Sequence, residues 1–257
     1  MQDLLRILTP ADYTFLIGII EGPVGFTDGQ NLRKLLASVE SFDTEESRGA
    51  LNRQLERDIR YLGSADLAYL ARFMTGQEPG VPFREIVRDV AKTLKVEPSL
   101  LGTNREIVES VVESYATKQF ASFTPAQQQE LLEQLGVERD RAAAFLKKSA
   151  GVFAIPTLIQ AFGTLVVNGL IKTVIFGTIA KIIGKQLAGK LFAMLMARFP
   201  WWVSWIGPVS WSISIGWAVL DIQGPAYRKT VPVVLYLGLC SLRDREQGLR
   251  KPPNDKQ

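Results

Sequence analysis

The sequence predicts an all-α protein, a helical bundle whose C-terminal half holds a Gly/Trp-rich apolar helical block. Three observations lead there. Over the first 140 residues, apolar positions recur at three- and four-residue steps and period-two alternation is almost absent. Thr9-Pro10 and Thr124-Pro125 have the form of helix starts, with Thr as N-cap and Pro at the first helical position. The second half then runs apolar for long stretches, with Ser149 to Ile171 and Phe199 to Leu220 carrying no charge over 23 and 22 residues.

Element by element, residues 1–39 read as two or three short helices, punctuated by turns at Gly22-Pro23 and Thr27-Asp28-Gly29. The acidic stretch ESFDTEES (40–47) has no periodicity and reads as a linker. Leu51, Leu55, Ile59 and Leu62 mark a helix over 49–73, within which Ser64-Ala65-Asp66 caps a further segment. GQEPGVP (76–82) is a break, and Phe83, Ile86, Val90 and Leu94 then share one face of a helix. Helices over Asn104 to Phe120 and Thr124 to Leu135 complete this half. The organisation expected is a small helical module and linker (1–47), an acidic amphipathic region (48–148), an apolar basic region (149–243) and a disordered polar tail (244–257).

Charge divides the chain more sharply than its net value of +4 suggests. Residues 1–140 carry 15 Lys+Arg against 22 Asp+Glu, whereas residues 141–220 carry 8 basic residues and no acid. A cationic segment of that length draws anionic lipid or nucleic acid. The aliphatic company of its lysines favours lipid, so nucleic acid is not an expected partner. The N-terminus places Asp3 where a secretory signal would be basic, and the single cysteine fits a reducing compartment. A cytoplasmic protein that associates with the inner membrane, constitutively or on a trigger, is expected.

Three features carry that expectation. All five tryptophans, Trp201, Trp202, Trp205, Trp211 and Trp217, fall within 17 residues. Such a cluster suits a bilayer interface or partner, and equally a buried aromatic core. Gly177, Ala180, Gly184 and Ala188 form a small-residue stripe that allows close helix packing, in a membrane or in a soluble bundle. Lys172, Lys181, Lys185, Lys190 and Arg198 supply cations for lipid headgroups or a plain solvated rim, and the four lysines do not share one helical face. Ordinary transmembrane helices fit poorly. Pro156 interrupts the first uncharged stretch, and Gly207-Pro208 leaves the second with a piece about 20 Å long, short of the roughly 30 Å hydrocarbon core. A block that is packed in one state and meets lipid in another avoids the conflict.

Catalytic signals are missing. The chain has no histidine, which removes His-based triads and His metal ligands. Cys240 lies in the apolar run VVLYLGLCSLR, where a buried inert thiol is expected. Glu106, Glu109 and Glu113 share a helix face that reads as solvated rather than metal-binding. Neither a Walker motif nor a dinucleotide-binding glycine turn is present. No enzymatic activity, metal or cofactor is expected.

The segments IRYLGSADLAYLARF (59–73), FREIVRDVAKTLKVE (83–97) and IGPVSWSISIGWAVLDIQGPAYRKTVPVVLYLGLCSLR (206–243) resemble the YaaW-like family of uncharacterised bacterial proteins, some labelled as related to ubiquinol–cytochrome c chaperones. The carrying positions are Gly207-Pro208, then Ala226-Tyr227-Arg228, then an apolar helix containing Pro232. The resemblance implies an all-helical body with a glycine-rich apolar centre and implies no activity. The first 40 or so residues are similar in flavour to adaptor-like modules fused to bacterial immune effectors. Together these features suggest a membrane-associating helical effector, membrane-disrupting or pore-forming once oligomerised, acting in bacterial defence or stress. Its partners would be anionic lipid, further copies of itself, or a protein held by the N-terminal module. The alternative is a soluble, chaperone-like helical interaction protein whose apolar half is its core.

Overall fold

The computed structural model describes residues 1–21, 29–63, 80–198 and 227–250, and all the regular structure among them is helical. In chain order the helices are α1 (Gln2–Leu5), α2 (Pro10–Glu21), α3 (Gly29–Ser41), α4 (Glu45–Leu62), α5 (Phe83–Thr93) and α6 (Asn104–Ser122). They continue as α7 (Pro125–Gln134), α8 (Arg139–Ser149), α9 (Ile155–Phe162), α10 (Thr164–Ile183), α11 (Lys185–Arg198) and α12 (Tyr227–Arg250).

Local chemistry explains the starts. Thr9 and Asp12 bond each other reciprocally across the first turn of α2, and Thr103 with Glu106 and Thr124 with Gln127 do the same for α6 and α7. The expected linker over 40–47 contracts to residues 42–44, because Thr44 and Ser47 form a further capping box that begins α4 at Glu45. The Leu51, Leu55, Ile59 face of α4 and the Phe83, Ile86, Val90 face of α5 are buried as their spacing predicts. α12 runs on to Arg250, through the first residues of the expected tail, and residues 251–257 lie outside the described residues.

α12 lies at the centre. Every residue from Thr230 to Arg243 is buried, so this stretch meets protein all round. It packs on α6, α10, α2 and α5, and touches α1 and α4. At Gly238 the approach to α6 is close: a Cβ there would lie 2.3 Å from Val112 Cγ2 and 2.8 Å from the Val108 carbonyl oxygen. Phe15 of α2 stacks on Tyr236 of α12 with ring centroids 4.2 Å apart, and Phe176 of α10 and Phe192 of α11 close on the Phe15 ring. The acidic first half and the apolar second half thus share one core.

The long uncharged stretch 149–171 is three pieces rather than one helix. Gly151 (φ +82°) follows α8, and Gly163 (φ +84°) separates α9 from α10. Among the described residues α10 alone is long and apolar enough to cross a membrane, and 56% of its apolar window is buried inside the protein.

Candidate functional site

Among the described residues, the most concentrated polar chemistry is buried where α2 meets α12. Asp12 sits in the first turn of α2, and Tyr236, Cys240 and Arg243 follow one another at single-turn steps along the facing stripe of α12. Arg243 grips Asp12 through two parallel bonds, Nη1 to Oδ1 and Nη2 to Oδ2, each 2.8 Å. The Tyr236 hydroxyl donates to Oδ1 at 2.8 Å, and the Cys240 thiol approaches the same oxygen at 3.7 Å. The Thr9 amide and hydroxyl both donate to Oδ2 at 2.7 Å, and Arg243 Nη2 also reaches the Ile7 carbonyl at 3.2 Å. Asp12 is 0% and Arg243 2% exposed.

This environment sets the ionisation of its members. Burial, reinforced by the Asp12 charge, pushes the Tyr236 hydroxyl and the Cys240 thiol well above their ordinary ranges. Burial opposes the Arg243 charge, but the Asp12 carboxylate bonded to it outweighs that and raises its pKa. Chemically the group is a clamp: both Asp12 oxygens are saturated with donors and the thiol is held neutral.

A second row of contacts runs outward from the clamp along α6 and α12. Ser241 donates to Glu109 Oε1 at 2.5 Å, and Arg245 bonds Glu109 Oε2 at 2.6 Å and Glu113 Oε1 at 3.1 Å. Arg105 reaches Asp244 Oδ2 at 2.6 Å and Ser241 Oγ at 3.2 Å. The glutamates expected on a solvated face therefore have other work. Glu106 caps α6, while Glu109 is buried and, with Glu113, pairs to α12, because the basic partner arrives from more than 130 positions away. Among the described residues no group of three or more Asp, Glu or Cys gathers to hold a metal ion.

The other residues singled out in the sequence are dispersed. Trp201, Trp202, Trp205, Trp211, Trp217, Gly207, Pro208 and Ala226 lie outside the described residues. Tyr227 and Arg228 open α12, the former packed against the core and the latter exposed. The small-residue stripe does not follow one helix: Gly177 and Ala180 belong to α10, Gly184 (φ +86°) is the break after it, and Ala188 is buried on α11. Lys181 and Lys190 are exposed, but Lys172 is buried, because it falls on the α10 face that packs inward. Lys185 and Arg198 belong to α11, and their side chains are outside the description.

Sequence reasoning missed the clamp. Asp12 reads as an ordinary first-turn acid and Arg243 as the end of an apolar run. A buried-helix pattern that ends in Arg without interruption is the available signal. No family model matches the chain. It is similar to a UPF0174 protein of Helicobacter pylori (strain J99), with 24% identity over 251 residues that span 94% of this chain and 92% of that one. No solved structure matches it.

Proposed function

We propose that the protein is a helical membrane-associating protein that meets anionic lipid through its acid-free segment while its core stays folded. One observation carries this reading. Arg141, Lys147, Lys148 and Lys190 are exposed, and not one carboxylate occurs in the sequence from 141 to 220. Each cation near an anionic bilayer strengthens binding by about 1 kcal/mol, screened as salt rises. The polar interior supports a binding role over catalysis, since its carboxylates are committed to internal donors.

Flotation of the full chain with vesicles tests the reading. Binding to vesicles of phosphatidylcholine with phosphatidylglycerol, absent on phosphatidylcholine alone and weakened by salt, is the expected result. Equal recovery in the lipid-free fraction for both compositions overturns it. A second reading, a soluble assembly protein, is favoured by the full burial of Thr230 to Arg243 and by the buried majority of α10. It predicts no lipid binding and a defined complex with a protein partner. Disruption of the bilayer by an oligomer is a further step, and release of an entrapped dye at bound-protein saturation reports it.

A further inference from the structure

α9 is an eight-residue helix, IPTLIQAF, of which only Leu158 is fully buried. Val152 ahead of it is 77% exposed, Ile159 within it 37% and Leu165 just after it 68%. These are three of the seven large apolar side chains exposed among the described residues, within fourteen positions. Ala150, Gly151, Ala154, Pro156, Thr157, Gln160, Gly163 and Thr164 are also exposed between or beside them, and no residue from 149 to 171 is charged. The edge is firmly mounted. Phe145 packs on Phe162 at 4.7 Å and on Phe153 at 6.2 Å, Phe153 packs on Phe120 of α6 at 4.8 Å, and Arg141 bonds the Ala161 carbonyl. Lys147 and Lys148, both exposed, sit at the end of α8 immediately before this edge.

We propose that this edge, Val152 to Leu165 with Lys147 and Lys148 as its cationic rim, is the surface that enters the headgroup layer of an anionic bilayer. The proposal rests on the membrane reading above and adds the place and depth of contact. Aliphatic side chains on a short helix, with a cationic rim, are what a shallow interfacial contact requires. The rim decides the occupant. A second copy docking through the same face would add its own Lys147 and Lys148 and no carboxylate from 141–220 to pair with them, whereas phosphatidylglycerol headgroups neutralise them. The exposed polar groups of the edge are few, so little directional bonding is on offer to a folded partner.

Two arms test it on the full chain. The first replaces Val152 by Cys and attaches an environment-sensitive dye, which is selective because Cys240 is buried. The dye should shift to the blue on vesicles of phosphatidylcholine with phosphatidylglycerol and stay unshifted on phosphatidylcholine alone. The second compares V152D/I159D/L165D and K147E/K148E with the parent by flotation. Binding should weaken roughly tenfold or more for the apolar set and roughly fivefold or more for each reversed lysine. If the parent floats while the dye stays unshifted and both variants float equally well, the edge is not the contact and the membrane reading stands without it. If the parent itself does not float, both fall together. A V152D/I159D/L165D variant that changes from dimer to monomer but floats as the parent does would assign the edge to a second copy and overturn the proposal. Should the triple variant fail to fold, the dye shift decides.

Discussion

Asp12 and Arg243 stand 231 positions apart in sequence and share two 2.8 Å bonds with almost no solvent around them. Removing one member of such a buried pair leaves an uncompensated charge and costs about 3–5 kcal/mol. Arg243→Met should therefore lower the unfolding free energy in urea by that order, and an unchanged midpoint would show that the clamp does not hold α2 to α12. The neighbouring groups give a pH signature. Burial raises the pKa of Cys240 and Tyr236 well above 9.0 and 10.0, and that of Tyr115, bonded to Thr178, to about 12. The folded chain therefore keeps protons that the unfolded chain releases. The stability these groups contribute is complete below pH 9 and is lost as pH rises, by about 1.4 kcal/mol per unit for each group titrating only in the unfolded chain. Urea melts between about pH 8 and 12 should show that decline, and Tyr236→Phe should make it shallower above pH 10.

At the scale of elements, backbone geometry sets where the apolar half breaks. Gly184 joins α10 to α11 at φ +86° and ψ +149°, a region almost confined to glycine, with open space where a Cβ would stand. Gly184→Ala should cost about 1–3 kcal/mol from strain alone. Gly189, inside α11 with equally open surroundings and no positive φ, should behave oppositely: Gly189→Ala should stabilise by about 0.5–1 kcal/mol. Thermal melts of the two variants separate these outcomes, and stabilisation by both would mean α10 and α11 form one continuous helix. The glycines and their spacing are plain in the sequence, but not which of them are joints. A four-residue spacing of small residues looks the same whether the helix continues through Gly184 or stops there.

Across the whole molecule, legibility followed the range of the signal. Helices in the first half announced themselves through three- and four-residue periodicity and through Thr9 and Thr124, all local in sequence. The Thr44–Ser47 box is hidden because the surrounding residues are acidic and aperiodic. α12 is harder to read for a different reason: a helix buried on all sides by protein and one facing lipid have the same composition, and only its neighbours distinguish them. The Arg105, Glu109 and Glu113 row is half visible, since its partners on α12 lie more than 130 positions on. What emerges is a bundle in which the apolar C-terminal helix is the core of the acidic half, leaving the uncharged apolar edge around α9 and its lysine rim outside.

The central claim is that lipid contact is made by the folded bundle. Hydrogen exchange of the full chain, free and bound to vesicles of phosphatidylcholine with phosphatidylglycerol, tests it most directly. Amides of Thr230 to Arg243 should stay protected in both states while those of 147–165 gain protection on binding. Loss of protection across α12 and α10 in the bound state would contradict it, and would mean the chain meets the membrane by opening its core.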